Sequence, residues 1–253
     1  MGRPVIWDEL TSPQLGALSR EIPVVLAVAA TEQHGPHLPL ATDRLIAEHF
    51  TGRLDAALRE RVLILPTLAV GCSEHHMDFC GSLTLTHDHF QAHVLDVLTS
   101  VAAHGFKNLV LFNAHGGNLA IGQVTLEIFG RRHPACQVVL MTWWQLAADA
   151  LLHLTETGPG GVGHACEFET SLMLHIAPRL VRLDALTDNG LQATYAWAEG
   201  DMLRRARASL YRPFNTMTRN GVVGEPKAAS ADKGRRISEA VMAQAGELIR
   251  SLM

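Results

Sequence analysis

The chain has 253 residues, a formal net charge of −4 at pH 7 and an isoelectric point near 6.4. Its length suits one large α/β domain, and its 47% hydrophobic content excludes a chain that is disordered throughout. The acidic balance argues against a nucleic-acid-binding protein, whose surface is normally basic.

Short apolar runs, which predict buried strands, alternate along the chain with segments of helical spacing. The pattern predicts strands at residues 24–28, 62–65, 109–112 and 138–141, and helices at residues 43–58, 89–103, 119–129, 170–176 and 237–252. This alternation is typical of βαβ units around a mainly parallel sheet. We therefore predict an α/β fold in a single domain over residues 1–253, with no readable pattern between 180 and 225.

The N-terminal residues 1–6 show no basic start followed by an apolar run, so no secretory signal peptide is predicted. Ile6 stands where an N-myristoylation signal has Ser or Thr. The four cysteines show neither a C-x-x-C pair nor zinc-finger spacing, and reduced thiols suit them better than disulfides. We expect a cytoplasmic protein that binds neither a membrane nor nucleic acid.

Fourteen histidines stand against three lysines, which points to metal or acid–base chemistry. Glu32 and His34 follow the first predicted strand two residues apart, and in an extended segment such side chains point the same way. Asp43 lies at the start of the next predicted helix, where its charge suits the positive helix end. These three side chains can therefore meet in one place.

Two more polar clusters follow later elements. His115, with Gly116 and Gly117, comes directly after the third predicted strand, where open α/β sheets bind their ligands. The two glycines allow close approach of the backbone. Residues 164–171 contain Glu167 and lead into a helix.

Together the clusters supply a candidate set of oxygen and nitrogen ligands: Glu32, His34, Asp43, His115 and Glu167. A set without thiolates suits zinc, manganese or iron(II), of which zinc is preferred here. If Asp43 bridges, two ions each gain three protein ligands and keep an open position, which is the catalytic pattern. Two divalent ions also balance three carboxylates better than one does. A hydroxide between them would then attack a carbonyl that one ion polarises.

Three ordered motifs resemble a known family: Glu32-Gln33-His34-Gly35-Pro36-His37 with Thr42-Asp43, Asn113-x-His115-Gly116-Gly117-Asn118, and His164-Ala165-x-Glu167-x-Glu169-Thr170-Ser171. Over residues 20–176 the sequence resembles the creatininase (creatinine amidohydrolase) family, in a branch other than creatininase itself. The resemblance implies a three-layer α/β/α fold, a dinuclear site and hydrolysis of a C–N bond in a small cyclic or formyl amide. It also implies a homo-oligomer, commonly a hexamer, the five metal ligands chosen above, and His164 as the catalytic histidine.

Further residues are placed near the substrate or behind the ligands. His76 matches a histidine of a family loop near the substrate, and Glu74 lies in the same loop, for which a solvated loop is the alternative. Trp144 matches a family aromatic residue after the fourth strand. Glu169 is interpreted as a carboxylate that orients a ligand, the alternative being a charge in the first turn of a helix.

Three positions depart from the pattern. Creatininase has a ligand glutamate where this chain has Gly117, so Glu167 would replace it from the third motif. The substrate-covering tryptophan of creatininase is Gly160 here. Cys166 stands where the family usually has glycine, and packing explains it better than a nucleophilic role. The departures favour a substrate other than creatinine.

Two alternatives stay open from the sequence. The same dinuclear site would also suit a ring-opening hydrolase or isomerase of a keto-sugar or cyclitol. The other alternative is a metal-binding protein without catalysis.

Overall fold

The computed structural model describes residues 6–253. Residues 1–5 lie outside the described part, and the predictions about a signal peptide and myristoylation fall on them.

The central sheet is parallel. The strands are β1 (Val24–Val28), β2 (Leu63–Ile64), β3 (Asn108–Asn113), β4 (Gln137–Thr142), β5 (Val162–His164) and β6 (Val223–Gly224). Four of them form one sheet in the order β2-β1-β3-β4, in which Val24 lies beside both Leu63 and Leu109. The four predicted strands are confirmed, and β5 and β6, a small antiparallel pair, are additional.

The helices are α1 (Ser12–Gly16), α2 (Thr42–Leu58), α3 (His87–Ala103), α4 (Leu119–Arg132), α5 (Trp143–Leu146), α6 (Ala148–Leu152), α7 (Glu167–Ile176), α8 (Phe214–Met217) and α9 (Ala231–Ser251). The five predicted helices are confirmed as α2, α3, α4, α7 and α9. The start of α7 lies three residues before the predicted one, and this difference matters for the site below.

Helices cover both faces of the sheet. In β1, Val25 and Ala27 pack on the side of α2, α7 and α9. Val24, Leu26 and Val28 pack on the side of α3 and α4. A strand that is buried on both faces reads as one unbroken apolar run, which is why the sequence pattern identified it. The three-layer α/β/α arrangement is confirmed.

Residues 186–213 contain neither helix nor strand. The chain there runs past β5, where the Met202 amide donates to the Val162 carbonyl at 2.9 Å. No helix within residues 6–253 is both long and apolar enough to span a membrane.

Candidate metal centre

Four segments bring five acidic and histidine side chains to the carboxyl ends of β1 and β3. Glu32 and His34 lie in the loop after β1, Asp43 in the first turn of α2, His115 after β3 and Glu169 in the first turn of α7. Each of the five is at most 4% exposed. Because β1 and β3 are parallel neighbours, the loops that follow them meet at one edge of the sheet.

Asp43 contacts both histidines through different oxygens. Its Oδ1 lies 3.1 Å from His34 Nε2, and its Oδ2 lies 3.0 Å from His115 Nδ1. Glu32 Oε1 is 3.3 Å from His115 Nδ1, and Glu169 Oε1 is 3.7 Å from His34 Nε2. The side chains thus form two groups of three that share Asp43.

Backbone carbonyls orient the two imidazoles. His34 Nδ1 lies 3.1 Å from the Glu32 carbonyl oxygen, and His115 Nε2 lies 3.0 Å from that of Cys72. A carbonyl oxygen only accepts, so these nitrogens carry the hydrogens. A neutral ring then turns its lone pair toward carboxylate oxygens, and two facing acceptors repel unless a cation lies between them. The pairing of one ring nitrogen with a carbonyl is typical of metal-binding histidines.

The buried negative charges of the cluster favour a bound cation. Glu32, Asp43 and Glu169 are buried, and across residues 6–253 no lysine or arginine forms an ion pair with them. One oxygen of each has no hydrogen-bond partner in that range, namely Glu32 Oε2, Asp43 Oδ2 and Glu169 Oε2. Buried carboxylates without a partner are costly, and two divalent ions would neutralise them. Glu32, His34 and Asp43 offer donor atoms that lie within 4.8 Å of one another, close enough to hold an ion.

The pKa shifts show that this site favours positive charge, whether a proton on an imidazole or a bound cation. Burial alone would lower the pKa of His34, but the carboxylates of Asp43 and Glu169 together outweigh it and hold that pKa well above its usual value. Burial would raise the pKa of Glu32, but the rings of His115, His76 and His164 together outweigh it and keep that pKa well below its usual value. The cluster therefore favours anionic carboxylates facing positive charge.

The structure contradicts the predicted position of Glu167 among the ligands. Its carboxylate accepts from Thr155 Oγ1 at 3.0 Å, Thr157 Oγ1 at 2.5 Å and the Glu156 amide at 3.0 Å, and it contacts Lys233 Nζ. Burial would raise the Glu167 pKa, but the Lys233 ammonium and the hydrogen bonds from Thr157 and the Glu156 amide together outweigh it and lower that pKa.

Glu169 occupies the place that was predicted for Glu167. Residues two apart in a helix project in nearly opposite directions, because each residue turns the helix by about 100°. Glu169 therefore faces His34 while Glu167 faces away from the cluster. We predicted that Glu169 lies behind a ligand and orients it. In the structure its carboxylate lies in the cluster itself.

Two further histidines border the cluster. His164 Nε2 lies 2.7 Å from the Gln33 carbonyl oxygen, which directs Nδ1 toward Glu32 Oε1 at 3.7 Å. His76 Nε2 is also 3.7 Å from Glu32 Oε1. Burial lowers the pKa of both rings, and the nearby ring of His34 lowers that of His164 further. Both are expected to be neutral at pH 7.

A cavity of about 620 Å³ opens onto the cluster. Gly116, Gly117 and Trp144, which the sequence analysis placed near the substrate or the ligands, line it, and Trp143 lies in the core beside Trp144. Glu74 is exposed and does not line the cavity. The loop that contains Glu74 and His76 therefore lines the cavity with its histidines and not with its carboxylate.

Other residues also line the cavity, and of these only His75 lies in a loop that the sequence analysis singled out. His75 stacks on the His115 ring at a centroid distance of 5.9 Å, and Phe214 lies 4.0 Å from the His76 ring. Arg204 and Arg205 come from the irregular residues 186–213. Such residues show no periodicity, so only the folded chain reveals them. Cys166 is fully buried in the apolar core, and burial raises its thiol pKa, which agrees with packing.

The chain is similar to known proteins of one family over almost its whole length. The family model "Creatininase: Creatinine amidohydrolase" matches residues 8–249. A "Mycofactocin precursor peptide peptidase" of Mycobacterium tuberculosis (strain CDC 1551 / Oshkosh) is 32% identical, over 94% of this chain and 89% of the relative. The "Creatinine amidohydrolase" of Pseudomonas putida is 28% identical, over 99% and 98%. A "3-dehydro-scyllo-inosose hydrolase" of Thermotoga maritima is 24% identical, over 100% and 86%.

Solved structures show the same likeness. The structure entitled "Creatininase Mn" aligns with a TM-score of 0.82 at 26% identity, over 98% of both chains. A mutant creatininase described as "Zn-Zn type" aligns with a TM-score of 0.83 at 25% identity, also over 98% of both chains.

Proposed function

This chain belongs to the creatininase family and is a metal-dependent hydrolase, and from that membership we propose that its buried cluster holds two divalent ions and hydrolyses an amide C–N bond. The observation that carries the proposal is the position of Asp43, whose two oxygens contact two different histidines. One ion would be held by Glu32, Asp43 and His115, and the other by His34, Asp43 and Glu169. Three protein ligands leave each ion an open position.

Zinc is the first choice for both positions, with manganese or iron as alternatives. Carboxylate and imidazole ligands accept all three ions, and availability decides among them. The two structural relatives are described as manganese and zinc forms, which supports the same range.

The chain's own residues bind the substrate and move its protons. When bound, a pair of divalent ions lowers the pKa of a shared water and polarises a carbonyl. His164 is fixed by the Gln33 carbonyl, so Nδ1 is the atom that faces the reacting groups. We propose that Nδ1 takes a proton from the attacking water as the water oxygen joins the acyl carbon, and passes that proton to the leaving nitrogen as the C–N bond breaks. Trp144 and Phe214 give the cavity apolar walls.

The substrate is proposed to be a small amide, whether cyclic, formyl or peptide. Two of the relatives are named for amide substrates, a precursor peptide and creatinine. At Gly160, where creatininase has its covering tryptophan, a Cβ would meet no atom within 4 Å. A chain that lacks this indole suits a substrate larger than creatinine.

Ring opening of a keto-cyclitol is the second candidate, because one relative is named an inosose hydrolase. A panel of lactams, formyl amides, short peptides and keto-cyclitols separates the two candidates. Membership in a hydrolase family and a cavity that reaches the cluster speak against the third alternative, a metal binder without catalysis. A hexamer and a cytoplasmic location remain proposals, and native mass spectrometry tests the first.

The decisive test removes the ions or their ligands. His115→Ala and Asp43→Ala are expected to lose both bound metal and turnover, and a chelator should abolish turnover until zinc or manganese is restored. His89→Ala, at an exposed position in α3, is the control that keeps both. Full turnover by a metal-free sample would refute the proposal.

A further inference from the structure

The cavity over the cluster contains two arginines with unused donors. Arg204 and Arg205 line it, and both are exposed. Within the described chain, neither guanidinium takes part in a hydrogen bond or ion pair. By contrast, the neighbouring Arg212 guanidinium donates to the Gln192 and Thr216 carbonyls. The first two arginines are therefore free to bind a ligand.

The turn that carries these arginines is held by a carboxylate. Asp201 Oδ1 accepts from the amides of Leu203 and Arg204 at 2.9 and 2.8 Å. Its Oδ2 accepts from the Gly160 amide at 2.8 Å, which fastens the turn to the loop before β5. Asp201 also lines the cavity, but these backbone donors occupy its oxygens. On this part of the wall, the charged groups that remain available to a ligand are therefore the two guanidinium groups.

The same turn is tied to the strand that carries the proposed proton donor. The Met202 amide donates to the Val162 carbonyl at 2.9 Å, and Val162 begins the strand that ends at His164. A backbone hydrogen bond thus joins the turn that carries the arginines to the strand that carries His164. A substrate held at both places would keep its reacting bond in a defined position.

We infer that the preferred substrates are amides with a free carboxylate, such as short peptides with an unmodified C terminus, and that Arg204 and Arg205 bind that carboxylate. The guanidinium fork matches a carboxylate and binds it more strongly than it binds a neutral amide. Two divalent ions, three carboxylates and one hydroxide would together carry no net charge, so the arginines would select the charge of the substrate. This inference rests on the proposed amide hydrolysis and adds the substrate class.

The test compares matched ligands on the zinc-loaded enzyme. The probes are N-acetyl-leucyl-phenylalanine, its C-terminal amide and N-acetyl-O-phosphoethanolamine, each measured for turnover and, by calorimetry, for binding. The variants are Arg204→Met/Arg205→Met and, as control, Arg207→Met, an exposed arginine of the same segment that lines no part of the cavity. We expect the free acid to bind about tenfold more tightly than its amide in the wild type and the control, and equally in the double variant.

The outcomes separate the two proposals. Equal binding of free acid and amide by the wild type, or an unchanged preference in the double variant, overturns the inference. Tighter binding of the phosphate probe than of the free acid overturns the assignment to a carboxylate. Absence of turnover on every amide, with the binding preference intact, refutes the proposed hydrolysis and leaves the arginine site standing.

Discussion

Glu167 and Glu169, two residues apart in the first turn of α7, present their carboxylates to different surroundings. Glu167 contacts the buried ammonium of Lys233, and Glu169 Oε1 lies 3.7 Å from His34 Nε2. One helical turn therefore carries a structural ion pair on one side and a candidate metal ligand on the other.

The first prediction compares these two glutamates. Glu169→Gln removes a charge that the cluster offers to a cation, so we expect one of the two proposed ions to bind about 10- to 100-fold more weakly. Glu167→Gln is the same chemical change outside the cluster and should keep both ions. Metal content after dialysis at graded free zinc measures the difference. Equal zinc binding by both variants would contradict the assignment of Glu169.

The second prediction concerns the ion pair behind the cluster. Lys233 is 2% exposed and also donates to the Ala228 carbonyl at 2.7 Å. Lys233→Met would leave the Glu167 carboxylate buried without its cation, and we expect a loss of about 3–5 kcal/mol of unfolding free energy. Lys227→Met breaks an exposed pair with Asp188 and should cost less than about 1 kcal/mol. Urea denaturation of the metal-free proteins compares them, and similar losses would refute a structural role for Lys233.

The sheet and its main helices could be predicted because both faces of the sheet are buried. The apolar runs and the helical spacing record that burial directly. The choice between Glu167 and Glu169 could not be made, because the pattern placed the start of the helix at residue 170. In an extended segment the two would point the same way, whereas in α7, which begins at Glu167, they diverge.

The part of the cavity wall that residues 186–213 form could not be predicted from the sequence either. Residues 186–213 are fixed by contacts such as those of Asp201 with Gly160 and Met202 with Val162, which join distant parts of the chain. No local periodicity encodes such contacts, so the free arginines emerge only from the fold.

The third prediction uses two adjacent glycines. A Cβ on Gly117 would lie 2.1 Å from the Cys72 carbonyl oxygen and 2.5 Å from His115 Nε2, so it would disturb the bond that orients this histidine. We expect Gly117→Ala to weaken zinc binding at least tenfold and to lower stability by about 1–3 kcal/mol. Gly116→Ala is the control, since its Cβ would meet nothing within 4 Å. Zinc titration shows whether only the first variant is impaired, and equal affinities would contradict the prediction.

The fourth prediction concerns a histidine outside the site. His49 Nε2 lies 2.6 Å from Ser238 Oγ, and burial together with Arg53 lowers its pKa to about 4. An unfolded histidine titrates near 6.5, so between these values the unfolded chain binds more protons and stability falls as the pH falls. His49→Gln should lessen this loss, whereas His89→Gln, at an exposed position, should leave it unchanged. Thermal midpoints from pH 8 to pH 4 measure it, and parallel curves for all three proteins would exclude His49 as a cause.

The last prediction separates proton transfer from metal binding. His164 faces Glu32 Oε1 at 3.7 Å through Nδ1, close enough to serve in either role. If it passes a proton to the leaving nitrogen, His164→Gln keeps both ions and the KM but lowers kcat about 100- to 10,000-fold. Cys166→Ala, two residues away in the core, should keep kcat and thereby exclude a thiol nucleophile. Loss of an ion together with activity in His164→Gln would instead make His164 a ligand, because a proton donor that touches no metal can be removed without releasing one.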